Sequence, residues 1–175
     1  MTPKPTGRLL STTEGRDLVL TRSFRAPIED VWASITESER TGRWFASWTG
    51  EPGPGNTIRA TLQFEEGKPE TDMTIDACDP PRHVAVSSHD VYGTWRLEAT
   101  LVERDGVTEL TFVQHLDDGV GIGEVGPGWE YYLDRLVFSR DEGIPEPTFD
   151  DYYPSQKAYY EQLTPTTTAP STEPG

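Results

Sequence analysis

The sequence predicts an α+β fold in which a curved antiparallel β-sheet wraps around a long C-terminal helix, with two short helices after the first strand. Three features predict it. The middle of the chain alternates apolar and polar residues in short segments, which is typical of an antiparallel sheet with one buried face. Two short helical segments precede this series, and one longer amphipathic segment follows it. A sheet with one apolar face needs a cover, and the late helix supplies it.

The composition indicates one acidic domain. The chain has 175 residues, a size that a single hydrophobic core accommodates. Its 30 acidic and 15 basic residues give a formal charge of −15, which repels phosphate backbones and anionic membranes. We therefore expect no nucleic-acid binding and no membrane insertion. The single cysteine, Cys78, excludes an intramolecular disulfide framework.

The two ends of the chain differ from its middle. Residues 164–175 are rich in Thr and Pro and cannot bury enough apolar surface to offset the entropy of ordering. We predict disorder there and in residues 1–6, and a single domain over residues 7–163. No apolar run has the length of a signal-peptide core, or the roughly 18 residues of a membrane span. We expect a cytoplasmic protein, either a monomer or a homodimer.

Turn and helix signals predict the first elements. Residues 8–25 form two strands around Gly15, which supplies the positive φ that such a turn often needs. A helix follows over residues 27–35, since Pro27 suits a first turn and the apolar residues recur at helical spacing. Residues 36–39 fit a capping box that starts a second short helix through residue 45.

Five alternating segments then build most of the sheet. They cover residues 57–64, 71–77, 83–88, 95–101 and 108–115. The first, second and fourth have apolar side chains at every second position, the third is a shorter strand, and the last has Leu110 and Phe112 on one face, so that one face of the sheet is buried. Asp105 and Gly106 are a strong hairpin signal between the last two.

The late amphipathic segment is the longest predicted helix. Its apolar residues recur at the spacing i, i+3, i+4, i+7 and i+8, and they are Trp129, Tyr132, Leu133, Leu136 and Val137. We place Pro127 in its first turn, and Glu130, Asp134 and Arg135 on its solvated side. A last helix is expected within residues 155–163.

Two motifs resemble one protein family. FRAPIEDVWASITESERTGRWF, residues 24–45, resembles the opening of START-like, birch-pollen-allergen-like domains of the SRPBCC superfamily. GWEYYLDRL, residues 128–136, resembles the late helix of the branch named for the activator of heat-shock protein 90 ATPase. That branch pairs a Pro-x-Glu-x-Val-Trp helix with a late Gly-Trp-x-x-x-Leu-Asp-x-Leu helix. The resemblance covers residues 7–137.

The resemblance implies a helix-grip fold. It implies a hydrophobic cavity between the sheet and the C-terminal helix, able to hold lipids, polyketides or other apolar molecules. It implies no fixed cofactor and no shared catalytic residues. The eukaryotic chaperone activators carry an additional N-terminal domain for chaperone contact, and residues 1–6 do not resemble one. We therefore do not expect the branch name to transfer as a function.

A glycine-rich segment imitates a nucleotide-binding loop. Residues 121–126 spell G-x-G-x-x-G between a predicted strand and a predicted helix. A dinucleotide site needs a parallel βαβ unit and an acidic residue about 20 positions later, and the sequence predicts no further strand. Asp117, Asp118 and Glu124 also place negative charge where a phosphate would lie. We interpret the segment as a flexible loop, with the hypothesis that it gates a cavity mouth.

No catalytic or metal-binding constellation is legible in the sequence. His83, His89 and His115 lack the spacing of a metal site, so we predict no catalytic residue, no metal and no cofactor. Each histidine is interpreted as a solvated or hydrogen-bonded side chain. His115, next to Gln114, is the candidate polar group inside the cavity.

Large apolar residues on the predicted buried faces are the candidate ligand-binding residues. As a set they suit an apolar ligand site, although ordinary core packing is the better explanation for any one of them alone. The late helix and the sheet form two walls, and the tryptophan-rich segment before the sheet lies near an entrance. The predicted lining is Trp44, Phe45, Trp48, Phe64, Met73, Trp95, Phe112, His115, Trp129, Tyr132, Leu133 and Leu136.

These observations favour one function over two alternatives. The first is binding of a small hydrophobic ligand, such as a lipid or polyketide, in a cavity between the sheet and the C-terminal helix. The second is a cyclase or hydrolase that uses the same cavity, with His115 as acid or base. The third is a chaperone ATPase co-regulator that acts through the acidic surface.

Overall fold

The described residues form one nine-stranded sheet and four α-helices. A computed structural model describes residues 3–91, 93–141 and 143–167, so the disorder predicted for residues 1–2 and 168–175 lies outside the described residues. The strands are β1 Arg8–Thr12, β2 Gly15–Phe24, β3 Ala46–Thr49, β4 Thr57–Leu62, β5 Glu70–Asp79, β6 His83–Asp90, β7 Gly93–Arg104, β8 Val107–Leu116 and β9 Thr166–Thr167. The helices are α1 Ile28–Thr36, α2 Ser38–Thr41, α3 Ile122–Arg140 and α4 Lys157–Glu161.

The sheet has the strand order β3-β4-β5-β6-β7-β8-β2-β1-β9. Neighbouring strands pair antiparallel except β1 and β9, which pair parallel. The chain runs as a meander from β3 to β8, and the first hairpin joins the sheet beside β8. Together with α3 across its inner face, this confirms the predicted α+β helix-grip fold.

Alternation along the strands separates an inner face from an outer face. On β8, Leu110, Phe112 and Gln114 are buried on the inner face, and the residues between them point outward. The α3 helix covers this inner face with Leu133 and Leu136, which are almost fully buried. The hydrophobic core therefore lies between the sheet and α3.

The α3 helix begins earlier than the sequence predicts, at Ile122. The glycine segment is the first part of this helix, so the interpretation as a flexible gating loop is wrong, and Pro127 lies inside the helix. The physical reason is close packing against α4. A Cβ atom at Gly126 would lie 2.4 Å from the Tyr160 ring, and one at Gly123 would lie 2.8 Å from Glu161. Glycine at these two positions allows α3 and α4 to pack closely.

The short helical region also differs from its prediction. Thr36 ends α1, and its hydroxyl donates a 2.7 Å hydrogen bond to the Trp32 carbonyl, so it does not cap the next helix. The α2 helix begins at Ser38 without a side-chain cap. The chain then turns into the edge strand β3, which the sequence analysis did not predict.

The described residues near each terminus contact the folded domain. Residues 3–6 and 164–167 belong to segments predicted to be disordered. The Pro3 carbonyl accepts a 3.0 Å hydrogen bond from Gln156, and the Thr6 amide donates to the Glu130 carboxylate at 2.5 Å. Thr166 pairs with Leu10 in the parallel β1–β9 ladder.

Candidate functional site

An apolar cavity lies between the sheet and α3. Its volume is about 120 Å³. Strands β5 to β8 form one wall, α3 forms the second, and the α1–α2 region with the residues before β3 forms the third. The lining residues are Ile35, Thr41, Trp44, Phe45, Met73, Val84, Val86, Leu97, Glu98, Ala99, Leu110, Phe112, Trp129 and Leu133.

Trp129 is the fixed centre of the helical wall. Its indole Nε1 donates a 2.7 Å hydrogen bond to Oε1 of Gln114 on β8. The ring centroid lies 4.4 Å from that of Phe112 and 5.6 Å from that of Phe45. The indole thus packs on sheet side chains, and the cavity is the space left beside it.

The structure divides the twelve predicted lining residues into two equal groups. Those at the cavity are Trp44, Phe45, Met73, Phe112, Trp129 and Leu133. Those elsewhere are Trp48, Phe64, Trp95, His115, Tyr132 and Leu136. Their positions explain the difference. Leu136 is in the solid part of the core, fully buried. The indole N–H of Trp48 donates a hydrogen bond to the backbone carbonyl of Thr36. The indole N–H of Trp95 donates one to the carboxylate of Asp90.

His115 lies on the outer face of the sheet, so the prediction that it enters the cavity is wrong. Adjacent residues of a strand point to opposite faces, and Gln114 occupies the inner position. The sequence analysis grouped the two residues by adjacency, but the pleat separates them. An acid–base role for His115 in the cavity is excluded by this geometry.

His115 belongs to a chain of titratable groups on the outer face. Its Nδ1 lies 2.8 Å from Asp17, its Nε2 contacts Glu98, and the other Glu98 oxygen lies 2.7 Å from His83 Nε2. Burial alone would lower the pKa of His115, but hydrogen bonds to Glu98 and Asp17 outweigh it and raise that pKa. The imidazole is therefore held preferentially as the cation. Glu98 also borders the cavity, while its carboxylate binds the two histidines of this outer cluster.

One flank of α3 is fixed to β2 by a buried ionic network. Glu130 is 1% exposed, and its carboxylate lies 2.7 Å from Arg22, whose Nε also lies 2.9 Å from Asp134. The same carboxylate accepts hydrogen bonds from the Gly7 amide at 2.9 Å and from the Tyr160 hydroxyl at 2.5 Å. The prediction that Glu130 is solvated is wrong, because its partners come from distant segments that enclose it.

The opposite flank of α3 faces the hairpin of residues 63–69 between β4 and β5. The Tyr132 hydroxyl donates a 2.5 Å hydrogen bond to Glu65, and burial and that carboxylate raise the pKa of the phenol. The Arg135 guanidinium lies 3.7 Å from the centroid of the Phe64 ring. Arg135 is buried, contrary to its predicted place on the solvated side. Phe64 and Tyr132 thus close this flank of the helix and do not line the cavity.

Sequence reasoning missed the smaller lining residues. Val84, Val86, Leu97 and Ala99 line the cavity from β6 and β7. The alternation of side chains along each strand identifies these residues, because it places them on the same inner face as the aromatic residues already chosen. The selection favoured large side chains, and it therefore overlooked the aliphatic wall.

Among the described residues, no group of three or more His, Cys, Asp or Glu side chains has the arrangement of a metal site. No helix in the described part of the chain combines the length and apolarity needed to cross a bilayer.

The sequence model of the Activator of Hsp90 ATPase homolog 1-like protein family matches residues 25–138. The match spans the first helices, the sheet from β3 to β8 and most of α3. The chain belongs to this family. The assignment confirms the resemblance found in the two sequence motifs. No curated protein matches the chain.

Three solved structures have a fold similar to that of this chain over most of its length. CalU16 from Micromonospora echinospora has a TM-score of 0.72 at 24% identity, over 91% of this chain and 96% of that one. The protein encoded by BPP1335 from Bordetella parapertussis has a TM-score of 0.71 at 22% identity, over 94% and 93% of the two chains. DynU16, a protein of the dynemicin biosynthetic locus, has a TM-score of 0.65 at 21% identity, over 76% and 50%. At these identities the likeness establishes a shared fold.

Proposed function

We propose that this protein binds a small apolar molecule, or the apolar end of a larger one, in the cavity between the sheet and α3. The observation that carries the proposal is an apolar space lined by three structural elements. Ligand sites in proteins are typically concave and mostly apolar, with few polar groups. Here the buried Gln114 amide is already engaged by Trp129, so recognition rests on shape and apolar burial.

The volume of the cavity limits the size of the ligand that it can hold in this conformation. Drug-sized ligands occupy sites of about 300–1,000 Å³, and an apolar cavity of about 150 Å³ binds benzene. A cavity of about 120 Å³ therefore suits one ring or a short alkyl group. A whole lipid or polyketide would require side chains around Trp129 to move.

Two further observations support a binding role. The family resemblance implies a cavity for apolar molecules in this position. DynU16, which shares the fold, belongs to a biosynthetic locus, in agreement with a small-molecule ligand. The alternative of a cyclase or hydrolase is left without its proposed acid or base, because His115 faces away from the cavity.

A matched pair of alanine substitutions tests the proposal. Ala99 lines the cavity, and Ala85 lies on the outer face of the neighbouring strand. Ala99→Leu fills the cavity and should abolish binding of toluene in titration calorimetry, while Ala85→Leu should leave it unchanged. Equal binding by the wild type and both variants would refute the cavity as the site. Absence of binding by the wild type across a panel of apolar compounds would refute the function.

A further inference from the structure

The two flanks of α3 are closed by different kinds of contact. The β2 flank is held by the buried ionic network of Arg22, Glu130 and Asp134. On the hairpin flank, no ion pair joins α3 to residues 63–69 in the described part of the chain. That flank is closed by the Tyr132–Glu65 hydrogen bond and by the Phe64 ring against Arg135. Separating the hairpin from α3 thus breaks no ion pair, whereas separating β2 from α3 does.

Arg135 is a buried cation with incomplete partners. Its side chain is 7% exposed, and the carboxylate that pairs with it, Glu146, lies 3.3 Å away on a side chain that is 63% exposed. The guanidinium donates to Glu146 and to the Pro147 carbonyl from Nη1. Nε has no hydrogen-bond partner among the described residues. Buried charges are ordinarily paired and fully hydrogen-bonded, so this arrangement calls for a further acceptor.

The unpaired Nε of Arg135 is a donor of the kind that binds carboxylates. Arginine binds carboxylates through parallel N–H donors of its planar fork, and the bond is stronger when both groups are charged. The Phe64 ring lies over the guanidinium and restricts its plane. A carboxylate that accepts from Nε would satisfy the donor that the protein leaves unpaired.

The position of Arg135 relates this receptor to the cavity. Tyr132 precedes Arg135 by three residues on α3, and its ring packs edge-to-face against Phe45 at 5.2 Å between centroids. Phe45 lines the cavity, and Tyr132 also contacts Trp129 at 5.8 Å. A molecule that enters past Tyr132 would place an apolar end in the cavity and a polar end near Arg135.

We propose that the contact between α3 and the hairpin of residues 63–69 opens to form the ligand entrance, and that Arg135 binds the carboxylate of an amphipathic ligand there. The ligand class is an aromatic or aliphatic carboxylic acid whose apolar end occupies the cavity. The ligand carboxylate takes the unpaired Nε and competes with Glu146 for the guanidinium. This inference rests on the proposed function and adds the substrate class and the entrance.

The experiment compares ω-phenylalkanoates of increasing chain length with their primary amides, by titration calorimetry near neutral pH. The acids are ionised there and the amides are neutral isosteres. We expect the best carboxylate to bind about tenfold or more tightly than its amide. Arg135→Met keeps an apolar stem against Phe64 and should reduce that ratio to about one. Arg59→Met removes an exposed arginine and should leave the ratio unchanged.

A second variant tests the same claim without changing the receptor. Glu146→Gln removes the competing carboxylate from an exposed side chain, so it should strengthen binding of the acid and leave the amide unaffected. Equal affinities of acid and amide in the wild type, or a preference for the acid that persists in Arg135→Met, would overturn the inference while the cavity function stands. Failure of both acid and amide to bind would overturn the cavity function itself.

Discussion

Trp129 and Gln114 join the centre of α3 to the inner face of the sheet through a buried 2.7 Å hydrogen bond between Nε1 and Oε1. Gln114 is 2% exposed, so its carbonyl oxygen has exchanged water for the indole N–H. This bond fixes the orientation of the Trp129 indole, which lines the cavity. The first prediction concerns its removal.

Trp129→Phe should lower the free energy of unfolding by about 1–3 kcal/mol, because it leaves a buried carbonyl oxygen without a donor. Urea denaturation measures the change. Trp95→Phe is the control, since Trp95 is half-buried and its N–H bonds to a residue at the end of the sheet; it should cost less. Adding Gln114→Leu to Trp129→Phe should recover part of the loss. Independent, additive effects of the two substitutions would contradict a coupled pair.

The second prediction concerns the helix contact that glycine permits. Gly126→Ala should destabilise the protein despite the better helix propensity of alanine, because the new Cβ would lie 2.4 Å from the Tyr160 ring. Gly128→Ala is the matched control on the same helix, where a Cβ meets no atom within 4 Å. It should stabilise the protein by about 0.5–1 kcal/mol. Thermal unfolding of the two variants should shift in opposite directions, and shifts of the same sign would contradict the packing account.

The third prediction concerns the buried network on the β2 flank. Glu130→Gln leaves the Arg22 cation with reduced compensation and should cost about 3–5 kcal/mol. Asp134→Asn should cost less, since the Asp134 side chain is 30% exposed and that of Glu130 is 1% exposed. Denaturant unfolding of both variants checks this order. Equal costs would mean that burial does not set the strength of these pairs.

The fourth prediction follows from the raised pKa of His115. Its folded pKa lies above the unfolded value, so the stabilisation is complete below about pH 6.5 and is lost as pH rises through the folded pKa. Because the groups are about one-third exposed, the loss between about pH 6 and pH 9 should be about 1 kcal/mol or less. Stability measured across this range should fall in the wild type and in His89→Gln but stay nearly level in His115→Gln. If the stability of the wild type changed with pH in the same way as that of His115→Gln, the stabilising role of protonated His115 would be refuted.

Local periodicity was sufficient to predict most of the sheet. Residues 57–62 alternate apolar and polar side chains, and Leu110 and Phe112 indicate the inner face of residues 108–115; each segment forms a strand with the predicted face buried. The start of α3 was not predictable in this way, since Gly123 and Gly126 are poor helix formers. Their helical state depends on α4, a contact formed between segments distant in sequence. Tertiary packing there overrides local propensity.

The candidate site was harder to predict than the fold. Size and aromatic character selected Trp129, Phe112 and Phe45, which line the cavity, but also Tyr132, which closes the flank of α3. Whether a buried aromatic residue borders empty space depends on its neighbours in three dimensions. The burial of charged residues was equally hard to predict. Glu130 is paired with Arg22, which is 108 residues away, so no local sequence pattern indicates the pair.

A methyl-selective NMR titration with toluene tests the central claim most directly. The claim is that an apolar molecule occupies the cavity between the sheet and α3. It predicts saturable shifts of the methyl signals of Val84, Val86 and Leu133, which line the cavity, and none for the exposed Val102 and Val107. Unchanged signals from the cavity, or shifts of equal size at the exposed valines, would contradict the account.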